Sequence, residues 1–138
     1  MWALGNIAGD GPELRDQILK AKVLTPFLAI LSTTATATLA LRRNTTWALS
    51  NLCRGKNPAP KFEAVQDALF VLPKLIESSP ASSSSSSALE FQDKEVVTDA
   101  AWALSYLTDG DNSKIETVLR TAWPRSSSSC SSTHCLPL

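Results

Sequence analysis

The sequence contains little of what most enzymes use for catalysis. Its 138 residues include a single histidine, His134, which lies in a Ser-rich segment near the C-terminus. This histidine cannot join a Ser/His/Asp or Cys/His catalytic set in a folded region. No P-loop or Rossmann glycine pattern is present either. The sequence therefore predicts a protein that is not an enzyme and that binds no cofactor.

Long apolar runs and an excess of one charge are also missing. The longest apolar run, residues 23–31, is broken by Thr25 and Pro26 and is far shorter than the roughly 18 residues that cross a bilayer. No secretory signal begins the chain. Because 13 Lys+Arg balance 13 Asp+Glu, the overall charge does not indicate a nucleic-acid partner, although balanced totals can hide a charged face. We expect a soluble protein of the cytoplasm and nucleus that binds neither membranes nor nucleic acid.

Cysteine is scarce as well. Three cysteines, Cys53, Cys130 and Cys135, are an odd number, which suits a reducing compartment better than a disulfide framework. Cys130, His134 and Cys135 offer too few ligands at no recognised zinc spacing. We therefore predict no metal site.

One short motif, in contrast, is present three times. WALGNI begins at Trp2, WALSNL at Trp47 and WALSYL at Trp102, at intervals of 45 and 55 residues. A period of about 40 to 47 residues is typical of armadillo and HEAT helical repeats, whereas WD40 repeats would require a strand pattern that is absent. The sequence therefore predicts an all-α solenoid.

The apolar pattern divides this solenoid into about two complete repeats. We predict helices at residues 2–10, 13–22, 25–31, 39–53, 61–69, 71–76, 91–107 and 113–120. They form a partial repeat at 2–10, repeats at 12–55 and 57–109, and a second partial repeat at 111–120. A Ser-rich loop at 78–88 cannot bury apolar area and should be mobile, and a Ser/Cys-rich tail at 121–138 is predicted to be disordered.

Each long helix has an apolar face and an opposite face with aromatic and polar side chains. The apolar faces contain Leu4 and Ile7; Ala48, Leu49 and Leu52; and Val97, Ala100, Ala101, Leu104 and Leu107. The opposite faces contain Trp2, Asn6 and Asp10; Asn44, Trp47, Asn51 and Arg54; and Glu95, Asp99, Trp102, Tyr106 and Asp109. Because repeats stack side by side, the three polar faces should line one extended groove.

This set of side chains favours an extended basic peptide as the ligand. Neighbouring tryptophans leave slots for the aliphatic stems of Lys or Arg, and the acids can hold the cationic heads. Contact between a cation and an indole contributes about 0.5 to 2 kcal/mol. Each asparagine offers a donor and an acceptor to a peptide backbone. The alternatives are that the tryptophans belong to the core and that the acids form an ordinary solvated surface.

Three segments make the pattern recognisable: WALGNIAGDGPELRD, RNTTWALSNLCRGKNPAP and TDAAWALSYLTDG. They closely resemble consecutive armadillo repeats of importin alpha, the adaptor for basic nuclear localisation signals. The resemblance implies a right-handed superhelix of three-helix repeats with a concave groove. It also implies two kinds of partner: proteins with Lys/Arg-rich localisation signals, and importin beta, which binds a separate basic segment that has no counterpart here.

The resemblance also suggests roles for individual residues. Trp2 with Asn6, and Trp47 with Asn51, resemble aromatic and amide pairs of the family's major signal-binding site. Asp10 resembles the acid that holds the key lysine of the signal.

Asn44 resembles a further amide contact in the family. Glu95, Asp99, Trp102 and Tyr106 resemble the acidic and aromatic wall that continues the groove. The family's second, minor signal site has no counterpart in the sequence. An armadillo scaffold for a different partner, or a truncated fragment without transport activity, remains the alternative.

Overall fold

The computed structural model describes residues 1–33, 37–55, 57–77 and 93–123, and the regular structure in these ranges is helical. The α-helices are Trp2–Asp10 (α1), Pro12–Lys20 (α2), Leu24–Ser32 (α3), Leu39–Cys53 (α4), Phe62–Val65 (α5), Leu72–Glu77 (α6), Lys94–Thr108 (α7) and Asn112–Ala122 (α8). A 3-10 helix, Gln66–Phe70, lies between α5 and α6. The described part of the chain has the all-α architecture of an armadillo solenoid.

Local signals explain where several of these helices begin. Pro12 occupies the first turn of α2, where its missing N–H costs no hydrogen bond. Thr38, Asp93 and Asp111 precede α4, α7 and α8, and each side chain accepts a first-turn N–H at 3.1 to 3.3 Å. Such caps satisfy donors that the helix itself cannot.

Helix α4 lies at the centre of the fold, packed between α1 and α7. Its inward side chains Ala48, Leu49 and Leu52 are fully buried. Helix α3 also packs on α4, whereas α6 and α8 pack on α7. The three helices that carry the repeated motif are therefore neighbours in one layer, with the remaining helices behind or beside them.

A buried arginine joins the first repeat segment to the end of α4. Arg15 of α2 is only 2% exposed, and its Nη1 donates to the carbonyl oxygen of Arg54 at 2.9 Å. Its Nε donates to Asp16 Oδ1 at 2.9 Å. Gly55 lies against the same guanidinium, and its φ of +127° is a conformation that favours glycine. The loop after α4 is thus shaped around this side chain.

The structure has a helix at each predicted place, with several differences in the bounds. Helix α2 ends at Lys20 and not at 22, and α7 begins at Lys94, after its cap Asp93, and not at 91. Residues 61–69 form the short α5 followed by a 3-10 helix instead of one α-helix. Helix α8 extends through Thr121 to Ala122, and Ala122 is buried, so these two residues do not belong to a disordered tail. The Ser-rich loop predicted at 78–88 and residues 124–138 lie outside the described residues. The repeat boundaries stay predictions.

The predicted apolar faces are correct for α4 and need correction elsewhere. In α7, Ala101 is exposed, Val97 is only partly buried, and Ala103 is buried in the core. In α1, Leu4 packs partly against the core, but Ile7 is 41% exposed. The true inward face of α7 is therefore rotated slightly from the predicted one.

None of the helices in the described ranges is long and apolar enough to cross a membrane.

Candidate peptide-binding surface

Facing residues of α4 and α7 form a cleft with a volume of about 330 Å³. We call this the α4–α7 cleft. Four of the predicted site residues meet there, two from each helix. The full lining is Arg43, Asn44 and Trp47 of α4 and Lys94, Glu95, Thr98 and Asp99 of α7. The cleft thus combines an indole, an amide, two acids and two cations.

Asp99 is an acid of the cleft with a shifted pKa. Partial burial raises the pKa of its carboxyl group above the ordinary value, and the negative charge of Glu95 raises it further. Glu95 lies four residues earlier, on the same face of α7. A cation between these two carboxylates would relieve both effects, because it would offset the desolvation and the repulsion.

Arg43 crosses from α4 to the start of α7. Its Nε donates to Asp93 Oδ1 at 2.9 Å, its Nη2 pairs with Asp93 Oδ2, and its Nε lies 3.4 Å from Glu95 Oε2. Hydrogen bonding to Arg43 holds the pKa of Asp93 below its usual range, and the same bond raises the pKa of Arg43. Asp93 therefore holds the guanidinium group of Arg43 at the end of the cleft next to the N-terminus of α7.

Sequence reasoning missed Arg43, Lys94, Thr98 and Asp93. The predicted polar faces extend about 40° to either side of their centre lines, and Arg43 lies beyond this limit, at the edge of the face of α4. An arginine near the start of one motif helix and an acid at the cap of the next would have been a usable signal, since stacked helices bring such positions together.

The three motif tryptophans differ in exposure. Trp2 is 65% exposed and Trp102 is 55% exposed, and the Trp102 ring stacks on Tyr106 with ring centroids 5.9 Å apart and planes at 24°. Trp47 is partly buried and packs against the core. A Cβ atom on Gly5 would lie 2.7 Å from Trp47 Cε3, so the indole rests on α1 where that helix has no side chain.

The three predicted asparagines differ in exposure as well. Asn6 is exposed and Asn44 partly buried, but Asn51 is only 8% exposed. Its Nδ2 donates to the carbonyl oxygen of Gly5 at 3.1 Å. The expectation of an outward-facing amide at this position therefore needs correction, because Asn51 joins α4 to α1.

The remaining predicted residues lie away from the α4–α7 cleft. Asp10 is exposed at the end of α1. Arg54 and Asn51 line a second cavity of about 190 Å³ beside Arg15. Tyr106 and Asp109 line a small cavity of about 20 Å³ next to Cys53. The structure thus groups Asn44, Trp47, Glu95 and Asp99 in one cleft and places the others elsewhere on α1, α4 and α7 or, for Arg54 and Asp109, directly after α4 and α7.

No group of three or more His, Cys, Asp or Glu residues that could hold a metal ion occurs among the described residues. The segment with Cys130, His134 and Cys135 lies outside them.

Comparison with known proteins places this architecture in a family. Residues 11–54 match the Armadillo/beta-catenin-like repeat. The chain is 48% identical over 126 residues to importin subunit alpha-1b of Oryza sativa subsp. japonica, which covers 91% of this chain and 21% of that protein. The chain belongs to the importin alpha family of armadillo-repeat proteins.

Other importin alpha proteins show the same likeness. Importin subunit alpha-2 of Arabidopsis thaliana is 48% identical over 119 residues, covering 86% of the chain and 19% of the relative. Importin subunit alpha-1 of Schizosaccharomyces pombe is 43% identical over 114 residues, covering 83% and 18%. The chain therefore spans about one fifth of the length of these importin alpha relatives.

Proposed function

We propose that the polar faces of α1, α4 and α7 bind extended peptides rich in lysine and arginine, of the kind found in nuclear localisation signals. In this function the protein recognises cargo for nuclear import and moves between the cytoplasm and the nucleus. One observation carries the proposal. The partly buried Asp99 and its neighbour Glu95 lie in one cleft with Trp47 and Asn44.

Lysine fits this cleft because its two parts need different surroundings. The aliphatic stem can lie along the indole of Trp47. The ammonium group can then reach Asp99, where a hydrogen bond to a charged partner contributes about 1.5 to 3 kcal/mol. Asn44 can bond the peptide backbone whatever the side chain is.

The exposed aromatic groups on either side extend this surface. Trp2 on α1 and the stacked pair Trp102 and Tyr106 on α7 offer further platforms for long side chains. Asn6 and Asp10 supply an amide and an acid further along α1, one and two turns beyond Trp2. A peptide of several residues could therefore contact all three helices in turn.

The proposed partners are proteins with Lys/Arg-rich localisation signals. The importin beta partner that the family resemblance implies would use a separate segment, and none of the features described above concerns that contact. The proposal is for a peptide-binding module rather than an enzyme.

Tryptophan fluorescence with a short lysine-rich peptide tests the proposal. We expect saturable binding that weakens in high salt, and about a tenfold or greater loss of affinity in Asp99→Asn, which corresponds to about 1.4 kcal/mol or more. Glu116→Gln on α8 is the matched control, because it removes an acid from an exposed position off this surface. Equal effects of the two variants would contradict the proposal. No response at millimolar peptide would favour a scaffold with another partner.

A further inference from the structure

Building on this function, we propose that Asp93 is a positioning residue for the α4–α7 cleft. It holds the guanidinium group of Arg43 at the N-terminal end of α7 and so leaves Asp99 available for a cation from the peptide. Without Asp93, Arg43 would compete with the ligand for the same acid.

The contacts of Arg43 support this division of the cleft. Within the described ranges, Arg43 makes its polar contacts with the cap and first turn of α7, two with Asp93 and one with Glu95. Asp99 lies one helical turn beyond Glu95 and lines the same cleft. Side chains four residues apart on a helix have Cβ atoms only about 5 to 6 Å apart. If Arg43 were released from Asp93, a change of its side-chain conformation could therefore bring the guanidinium group to Asp99.

The raised pKa of Asp99 is consistent with a carboxyl group that is not paired with Arg43. Burial and the charge of Glu95 both raise its pKa, whereas a nearby guanidinium would lower it. The other charged groups that line the cleft are Arg43, Lys94 and Glu95. Of these, only Arg43 is held by a two-point ion pair, which arginine forms better than lysine does.

Asp93 has a second role that must be separated from the first. Its Oδ1 also accepts the backbone N–H groups of Glu95 and Val96, which caps α7. Asparagine caps helices as well as aspartate does, but it cannot form an ion pair. Asp93→Asn therefore removes the hold on Arg43 while keeping the cap. Asp93→Ser is a second variant of the same kind, for use if the first fails to fold.

Peptide titration of the whole chain is the first test. We expect Asp93→Asn to bind the lysine-rich peptide about tenfold more weakly, as when Arg43 occupies Asp99 in about nine-tenths of the molecules. Adding Arg43→Gln should restore the affinity. A loss of affinity that persists in the double variant would show that Asp93 acts only through the structure of α7 and would overturn the inference.

An NMR titration of the Asp99 carboxyl group needs no peptide. We expect its pKa to fall in Asp93→Asn, because Arg43 moves towards it, and to rise again in the double variant. An unchanged pKa in Asp93→Asn would overturn the inference even where peptide binding is normal. If the pKa shifts as expected but the wild-type chain binds no peptide, the positioning role stands and the proposed function fails.

Discussion

Replacing Gly55 by alanine should destabilise the fold through two separate effects. The residue has a φ of +127°, which is strained for any residue with a side chain. A new Cβ would also lie 2.5 Å from Nη1 of Arg15. That nitrogen donates to the Arg54 carbonyl oxygen at 2.9 Å, so the methyl group must displace the guanidinium or the loop.

The expected loss of stability in Gly55→Ala follows from these two effects. Backbone strain of this kind costs about 1 to 3 kcal/mol. Loss of the bond from the charged Arg15 to the Arg54 carbonyl costs about 1.5 to 3 kcal/mol. The smaller conformational entropy of the unfolded alanine chain offsets about 0.4 to 1 kcal/mol. We therefore expect a net loss of about 2 to 5 kcal/mol, which is large beside a total stability of about 5 to 15 kcal/mol.

Urea unfolding followed by far-UV circular dichroism measures this loss. Gly11→Ala is the matched control, because Gly11 has an ordinary extended φ of 179° and a Cβ there would meet no atom within 4 Å. Because Gly11 is the N-cap residue of α2, where alanine is less favourable than glycine, the control should cost at most about 1 kcal/mol. Similar midpoints for Gly55→Ala and Gly11→Ala would refute the argument from strain and from Arg15.

Two further predictions concern titrating groups. Because burial and Glu95 raise the pKa of Asp99, this carboxyl group contributes stability below its unfolded value of 3.8 that is lost as pH rises through its raised pKa. Asp99→Asn should therefore be more stable than the wild type in urea at pH 7 but equal to it near pH 3, and a constant difference would contradict this. Burial raises the pKa of the Cys53 thiol to about 12, so only about one molecule in ten thousand is a thiolate at pH 8. In a Cys130→Ser/Cys135→Ser chain, iodoacetamide should label Cys53 only as fast as the protein unfolds, and rapid labelling of the native state would show that this thiol is accessible.

The helices could be predicted because their signals are local. The apolar period of α4 predicts that Ala48, Leu49 and Leu52 are buried, as they are. The caps Asp93 and Asp111 are also local, and they set the starts of α7 and α8 at Lys94 and Asn112 in place of the predicted 91 and 113. The pairing of Trp102 with Tyr106 also follows from their spacing, since residues four apart on a helix are neighbours. Such features depend on a few consecutive residues and little on the rest of the fold.

The environment of Asn51 could not be predicted in the same way. A helical wheel places it beside Trp47, but its burial is set by the close approach of α1, whose Gly5 carbonyl oxygen accepts its hydrogen bond. Ala101 shows the same limit, because the inward face of α7 depends on the angle at which that helix packs on α4. Contacts between distant segments, such as Arg43 with Asp93, require the stacked geometry and not only the period of the motif.

The fourth position of the repeated motif affects how a bound peptide would align with the motif tryptophans. It is Gly5 in the first copy and Ser50 in the second. The absence of a side chain at Gly5 lets the indole of Trp47 rest on α1, so that Trp47 is partly buried whereas Trp2 and Trp102 are mostly exposed. The three motif indoles are therefore unequally exposed. A lysine-rich peptide bound as proposed would contact aromatic surfaces of unequal area, so some alignments of its side chains would be favoured over others.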